Sequence, residues 1–328
     1  MIRSGFFIWR LRMKAAVVNV LGQVPRYQAF PEPAAGEGEA VVHVRAAGLH
    51  PIVKALASGA HYIGGGEVPM VPGVDGVGTL DDGSRVFFTF VRKPWGSMCE
   101  RTVCPRSKCL PIPDALDDRL AAALPNPGMS AWLSLKERAR LAVGETVLVL
   151  GATGVAGQLA LQAARQLGAG RIIGAGRNVG AISAHDVDSI VSLNQPDDAI
   201  REAFTQEASR GIDVVIDYLW GRPTELFLEA LAKGLRTSAT RSTRLVEVGE
   251  SAGKTINLPG ATLRSVDLRL MGSGFGSVPL DQVFGAIPNL LLMAAAGALK
   301  IDIEAVPLCD VEAAWSRVEK GRRIVFTA

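Results

Sequence analysis

The chain has 328 residues, 48% of them apolar and 20% charged, a balance that excludes broad disorder and leads us to expect two domains rather than one core. Its formal net charge of +3 is too small to point to a nucleic-acid partner. No apolar run reaches the roughly 18 residues of a membrane span.

The amino terminus, "MIRSGFFIWRLRMKAAVV", is basic and apolar, but Arg10 and Arg12 interrupt its apolar stretch and no small-residue cleavage site follows. The expectation is no signal peptide, with Met13 as the natural start and residues 1–12 as an extension. Short β-rich runs then recur: "MKAAVVNV", "EAVVHVRAAG", "GVGTL", "SRVFFTF" and "CERTVC". Gly, Pro and Asp clusters separate them, and one helical patch, "PIVKALASG", interrupts them. Strands at this spacing without intervening helices predict a small, partly closed β-barrel.

The basic stretch Arg92 to Lys108 reads as a solvated loop and edge. Its three cysteines, Cys99, Cys104 and Cys109, and the distant Cys309 lack the short spacing of a zinc site, so they read as reduced thiols of a cytoplasmic protein.

From Pro125 the pattern changes. "NPGMSAWLSLKERARL" predicts a helix, and "GETVLVLG" a strand buried on both faces. Further strands are predicted at Arg171–Gly174, Ser189–Leu193, Ile212–Asp217, Arg244–Val248 and Asp267–Met271. Helical patterns lie between them, including "PTELFLEALAKG". This alternation predicts a doubly wound parallel sheet, and hence an α/β chain. "LLLMAAAGAL" (Leu290 to Leu299) reads as a buried helix, and the closing "RRIVFTA" as a strand returning to the first domain. The predicted division is a catalytic and substrate domain over 1–124 and 277–328, and a dinucleotide-binding domain over 125–276.

In "GATGVAG" the glycines Gly151, Gly154 and Gly157 stand three residues apart between a buried strand and an amphipathic helix. That pattern suits a sharp turn, close approach of a pyrophosphate and tight helix packing, with the helix amino terminus facing the phosphates. Ala152, Thr153 and Val155 belong to the same turn. Twenty positions beyond Gly157, where an acidic residue would bind the ribose 2′-hydroxyl of NADH, stands Arg177. A guanidinium matches a 2′-phosphate, so NADPH is the expected cofactor. Asp217, Tyr218 and Gly249 close later strands at their carboxyl ends, where ligands gather in such sheets. Ser273 and Phe275, in "GSGFG", follow the sixth strand; all five are candidate cofactor contacts.

The unit begins almost halfway along the chain, unlike the short-chain reductases, and none of Tyr27, Tyr62 and Tyr218 has the Lys four positions on that those enzymes use. The order instead resembles the medium-chain dehydrogenase/reductase superfamily. The resemblance runs from "MKAAVV" to the end and rests on "AAGLHP", "VPGVDGVG", "RVFF", "AAALP…SAW", "GETVLVLGATGVAG" and "PLCDVEAAW". It implies a GroES-like β-barrel catalytic domain joined to a Rossmann domain, with the active site between them, and a homodimer. Where zinc-dependent members carry Cys and His-Glu ligands, this chain has Leu49-His50 and Gly73-Val74-Asp75, so no metal is expected. "AAGLHP" is similar to the "AAG-x-Asn-Pro" of the zinc-free quinone oxidoreductase branch, with His50 in place of Asn. The lysine common after that branch's second strand is missing, which leaves Arg177 with the 2′-phosphate.

The resemblance places Tyr62 at a cleft mouth and Ser130 where a Thr contacts the nicotinamide. Together with His50 these are the candidate donors to a developing oxyanion. The expected activity is metal-free, NADPH-dependent hydride transfer to a quinone or an α,β-unsaturated carbonyl. Two other readings stay open: a zinc-dependent alcohol dehydrogenase, and a non-enzymatic NADPH-binding sensor or RNA-binding protein.

Overall fold

A computed structural model describes residues 12–60, 67–234, 242–274, 276–318 and 321–328. The candidates Tyr62 and Phe275, and most of the amino-terminal extension, lie outside these residues. The first strands are β1 (Arg12–Val17), β2 (Arg26–Pro31) and β3 (Glu39–Gly48), followed by α1 (Pro51–Ser58). Next come β4 (Asp75–Thr79), β5 (Arg85–Thr89), β6 (Arg101–Pro105), β7 (Cys109–Pro111), α2 (Asp118–Ala123) and α3 (Pro125–Leu133). Alternation then sets in: β8 (Thr146–Leu150), α4 (Val155–Gln166), β9 (Arg171–Gly176), α5 (Val179–Ser183), β10 (Ser189–Ser192) and α6 (Asp197–Ser209). It continues with β11 (Val214–Asp217), α7 (Gly221–Gly234), β12 (Thr243–Glu247), α8 (Gly260–Ser265) and β13 (Leu268–Gly272). The chain closes with α9 (Leu280–Ala295), β14 (Asp302–Pro307), α10 (Val311–Trp315) and β15 (Arg322–Thr327).

These elements form two compact units, one of Met1–Ala123, Ile303–Glu319 and Arg323–Ala328, the other of Leu124–Asp302 and Lys320–Arg322. In the first, the described strands form an antiparallel pair, β1 with β2, and a sheet in the order β14-β15-β3-β4-β5-β7, with β6 also on β3. β3 carries the arrangement: β6 pairs its first half, from Glu39 to His43, and β15 its last residues, from Ala46 to Gly48. Two cores result. The larger gathers Met13, Val17, Val53, Met98, Val311 and Phe326, and the smaller Val42, Val86, Phe88 and Cys104. Each fully buried aliphatic or aromatic side chain contributes about 1.5–3 kcal/mol toward folding.

In the second unit the described strands form a sheet in the order β10-β9-β8-β11-β12-β13, parallel throughout. Every residue of β8 and β11 is buried, which explains their uninterrupted apolar sequence. Helices α6 and α7 cover one region, with Phe204 and Phe227 edge to face at 5.6 Å. Pro125 and Pro127 lie inside the first turn of α3 rather than before it, since proline lacks only an N–H that this turn leaves unpaired anyway. Helix α9 packs against α3, and the unit runs on to Asp302. The boundary therefore falls later than the 276 read from the sequence, because an apolar helix face is assigned by its packing partner rather than by composition. Among the described residues no helix is long and apolar enough to cross a membrane.

Candidate cofactor site

The sheet order reverses direction between β8 and β11, and in open parallel sheets ligands bind beyond the carboxyl ends of strands at such a point. The turn after β8 lies there, and its three glycines answer to three different constraints. Gly151 has φ +87°, a left-handed backbone, and a Cβ on it would also meet Tyr218 Cβ and Leu219 Cδ2 at 3.2 Å. Gly157 lies in the first turn of α4, where a Cβ would come within 2.2 Å of the Gly151 carbonyl oxygen; its bareness lets the helix pack onto the turn. Gly154 is exposed, and a Cβ there would meet only the Gly151 oxygen, at 3.6 Å. Protein packing thus demands glycine at 151 and 157 but not at 154, where close approach of a ligand is the remaining reason for it.

The turn is held from below: the N–H groups of Gly151 and Ala152 both donate to the Ala175 carbonyl at 3.0 Å. Thr153 packs its methyl toward Gly176, where a Cβ would clash at 2.7 Å. Val155 opens α4, which has Gly154 at its N-cap and no side-chain cap, so its first N–H groups and dipole end are suited to phosphate oxygens. Arg177 follows β9 directly, is exposed, and has no hydrogen-bond or ion-pair partner among the described residues. A guanidinium in that setting is at liberty to form a fork with a 2′-phosphate. These residues fit NADPH.

At the neighbouring strand end, β11, the outcome is divided. Tyr218 adjoins Gly151, and its backbone approaches Gly249, whose Cβ would meet the Tyr218 oxygen at 3.4 Å. Its ring is half-exposed, whereas its hydroxyl is buried, facing Ser130 of α3 short of a well-formed hydrogen bond. Burial holds its proton well above the ordinary tyrosine range, with Ser130 opposing. Ser130, Gly151, Tyr218 and Gly249, spread over some 120 positions of sequence, thus form one cluster. Ser273, just past β13, is fixed by its N–H donating to the Glu247 carbonyl at 2.8 Å.

Asp217 departs from expectation. Its carboxylate is fully buried and accepts from Leu219 N–H at 2.8 Å, Trp220 N–H at 3.0 Å and Thr224 Oγ1 at 2.5 Å. Burial raises its pKa while these bonds, Thr224 first, pull it down. The group braces the entry to α7 and has no face left for a cofactor. Below Ser130, residues Ser134–Arg138 make a π-helical turn. Arg138 at its end donates to the carbonyls of Gly272, at 2.8 Å, and Ser277, at 3.2 Å, fixing the exit from β13.

His50, in the first unit, also differs from its expected role. It is fully buried, with Nε2 3.2 Å from Asp75 Oδ1, within ion-pair distance but not aligned as a hydrogen bond. Gly48 makes room for the ring: a Cβ there would lie 2.5 Å from His50 Nε2. Arg323 of β15, itself buried, completes the group; its Nη1 donates to the Leu49 carbonyl at 2.9 Å. Burial lowers the Arg323 pKa to about 10, against the pull of the Asp75 charge. Such an enclosed imidazole orders the interior rather than offering a hydrogen bond to an oxyanion. Sequence reasoning missed Arg323, since no local pattern links it to positions 273 residues away. Among the described residues no three His, Cys, Asp or Glu side chains group as a metal-ligand set.

Sheet order, glycine turn and uncapped helix together define a dinucleotide-binding unit of the dehydrogenase type. No protein-family model matches the chain. It is 27% identical over 332 aligned residues to a probable NADPH-dependent quinone reductase of Emericella nidulans, covering 87% of this chain and 88% of that one. Prostaglandin reductase-3 of Bos taurus is likewise 27% identical, over 84% of this chain and 74% of its own length. The solved quinone oxidoreductase of Thermus thermophilus, described with its NADPH complex, matches with a TM-score of 0.77 at 28% identity, over 96% of this chain and all of the other. The chain belongs to the medium-chain dehydrogenase/reductase superfamily, in its quinone reductase branch.

Proposed function

We propose that this protein is an NADPH-dependent oxidoreductase that reduces a quinone or an α,β-unsaturated carbonyl. The observation that carries the reading is the turn Gly151–Gly157, bare at Gly154 and followed at the end of β9 by the unpartnered guanidinium of Arg177. The names of the relatives, quinone reductases and a prostaglandin reductase, supply the substrate class.

When bound, the reduced nicotinamide supplies the hydride. The chain's part is to hold and orient. The α4 amino terminus binds the pyrophosphate, Arg177 the 2′-phosphate, and Ser130, Tyr218, Gly249 and Ser273 line the strand ends on the nicotinamide side. Ser130 and Tyr62 are the residues we assign to hydrogen-bond the nicotinamide amide or the substrate carbonyl. Tyr218 steadies Ser130, and its hydroxyl stays protonated at any physiological pH.

We also read the protein as a cytoplasmic homodimer without a nucleic-acid partner. Support for the dimer is the edge strand β13, whose Leu270 is 38% exposed: an apolar edge of this kind favours pairing with a second copy. Light scattering that returns a monomer at micromolar concentration overturns it.

The activity is tested by steady-state oxidation of NADPH and of NADH with 1,2-naphthoquinone and a panel of enones. Turnover with NADPH preferred is expected; no oxidation of either coenzyme with any acceptor removes the reading. In Arg177→Ala, loss of a charge-assisted contact raises KM for NADPH about tenfold and leaves that for NADH unchanged. An unchanged KM for NADPH takes Arg177 out of the phosphate site.

A further inference from the structure

The first unit contains a pair of thiols that the hydride chemistry does not use. Cys104 ends the run of β6 opposite Ala40 of β3, and Cys109 opens β7 opposite Phe88 of β5. A tight turn over Arg106–Lys108 folds the chain back between them, so their sulfurs lie 3.5 Å apart. A disulfide bond is about 2.0 Å long, and two sulfurs already in contact reach that distance by side-chain rotation and a small shift of a turn. Cys104 is fully buried in the smaller core, whereas Cys109 is half-buried and reachable from solvent. The other cysteines lack this arrangement. Cys99 is enclosed, with its sulfur against the carbonyls of Gly96 and Arg101, and Cys309 is exposed beside Asp310.

We propose that Cys104 and Cys109 are a modification site, a reversible dithiol–disulfide pair oxidised by peroxides. Cys109 is the attacking sulfur. The Cys104 thiol donates to it, and the Arg106 cation lies nearby; both hold its pKa below the usual thiol range and favour the nucleophilic thiolate. Cys104 stays protonated until it is needed, since the same contact and its burial raise its pKa. The Cys109 sulfur attacks one peroxide oxygen: an S–O bond forms, the O–O bond breaks, and hydroxide leaves and takes up a proton to become water. The Cys104 sulfur then attacks the sulfenic sulfur, forming S–S and expelling a second water that carries away its proton. Two thiols are oxidised, one peroxide is reduced, and two waters result. The product staples β6 to β7 across the intervening turn.

The test exposes the whole protein to a slight excess of hydrogen peroxide, quenches it, and counts thiols after denaturation. The count is expected to fall from four to two. A single peptide pair, lighter by two hydrogens, should join Cys104 to Cys109, and dithiothreitol should restore all four thiols. Cys109→Ser should abolish the loss. Cys104→Ser should instead leave Cys109 oxidising onward to the sulfinic acid. Should that buried substitution prevent folding, phenylarsine oxide decides on the unaltered protein: one equivalent bridging the pair is expected to protect both from alkylation. Persistence of four thiols, oxidation confined to Cys309, or a sulfinic Cys109 beside a free Cys104 in the unaltered protein overturns the proposal, as does failure of the arsenical to protect.

Discussion

Two turns in this protein are built around glycine for opposite purposes. Gly48, in the first unit, gives up a side chain so that the imidazole of His50 can lie where the Cβ would be, 2.5 Å from Nε2. Gly154, in the second, gives up a side chain that nothing in the chain would obstruct closer than 3.6 Å. One glycine closes an interior and the other keeps a surface accessible. A bare backbone position is therefore evidence of a binding site only once the chain's own atoms have been shown not to need the space.

Substitutions can break or sharpen this contrast. The largest effect is expected at the closed turn. Asp75→Ala leaves the Arg323 cation buried without its counter-charge and should cost about 3–5 kcal/mol, read as a lowered denaturation midpoint. A variant as stable as the parent would mean the group is not held together by charge. Next comes Gly157→Ala, whose Cβ meets backbone at 2.2 Å; overpacking of about 1–3 kcal/mol should appear as a Tm lowered by several degrees. Gly154→Ala should change stability by no more than about 1 kcal/mol yet weaken NADPH binding about tenfold. Equal loss of stability in both glycine variants, with affinity intact in Gly154→Ala, would erase the distinction between packing and ligand approach.

The smallest effect concerns acid. Hydrogen bonds from Ser84 and the Arg106 guanidinium lower the Asp82 pKa from 3.8 to about 2. A carboxyl depressed on folding adds stability above its unfolded pKa and loses it as pH falls through the folded one. Asp82→Asn should therefore separate slightly from the parent above pH 3.8 and converge with it near pH 2, in thermal melts run across that range.

The parts visible in the sequence are those written locally. The alternation of buried strands and amphipathic helices from Thr146 onward is legible because each element is specified by its own residues, and the glycine turn because its spacing spans seven positions. Strands β2 and β7 escaped notice: "RYQAFP" and "CLP" are short and half-polar, and they become strands only through β1 and β5 beside them. Position at a strand end suggested Asp217, but a carboxylate there can face outward to a ligand or inward to N–H groups, and only the following turn, Leu219 to Thr224, decides. His50 misled for a similar reason. Its partners Asp75 and Arg323 come from two other strands, and burial by distant segments leaves no trace in neighbouring letters.

The π-helical turn Ser134–Arg138 carries one residue more than an ordinary helical turn would need. Removing a single residue from it would restore the regular winding and swing everything that follows by about 100° around the axis. Arg138 would then turn away from Gly272 and Ser277, and the chain leaving the last parallel strand would lose its tether. The surplus residue thus acts as a phase-setter, and a one-codon deletion here should be felt at an exit more than 130 positions downstream.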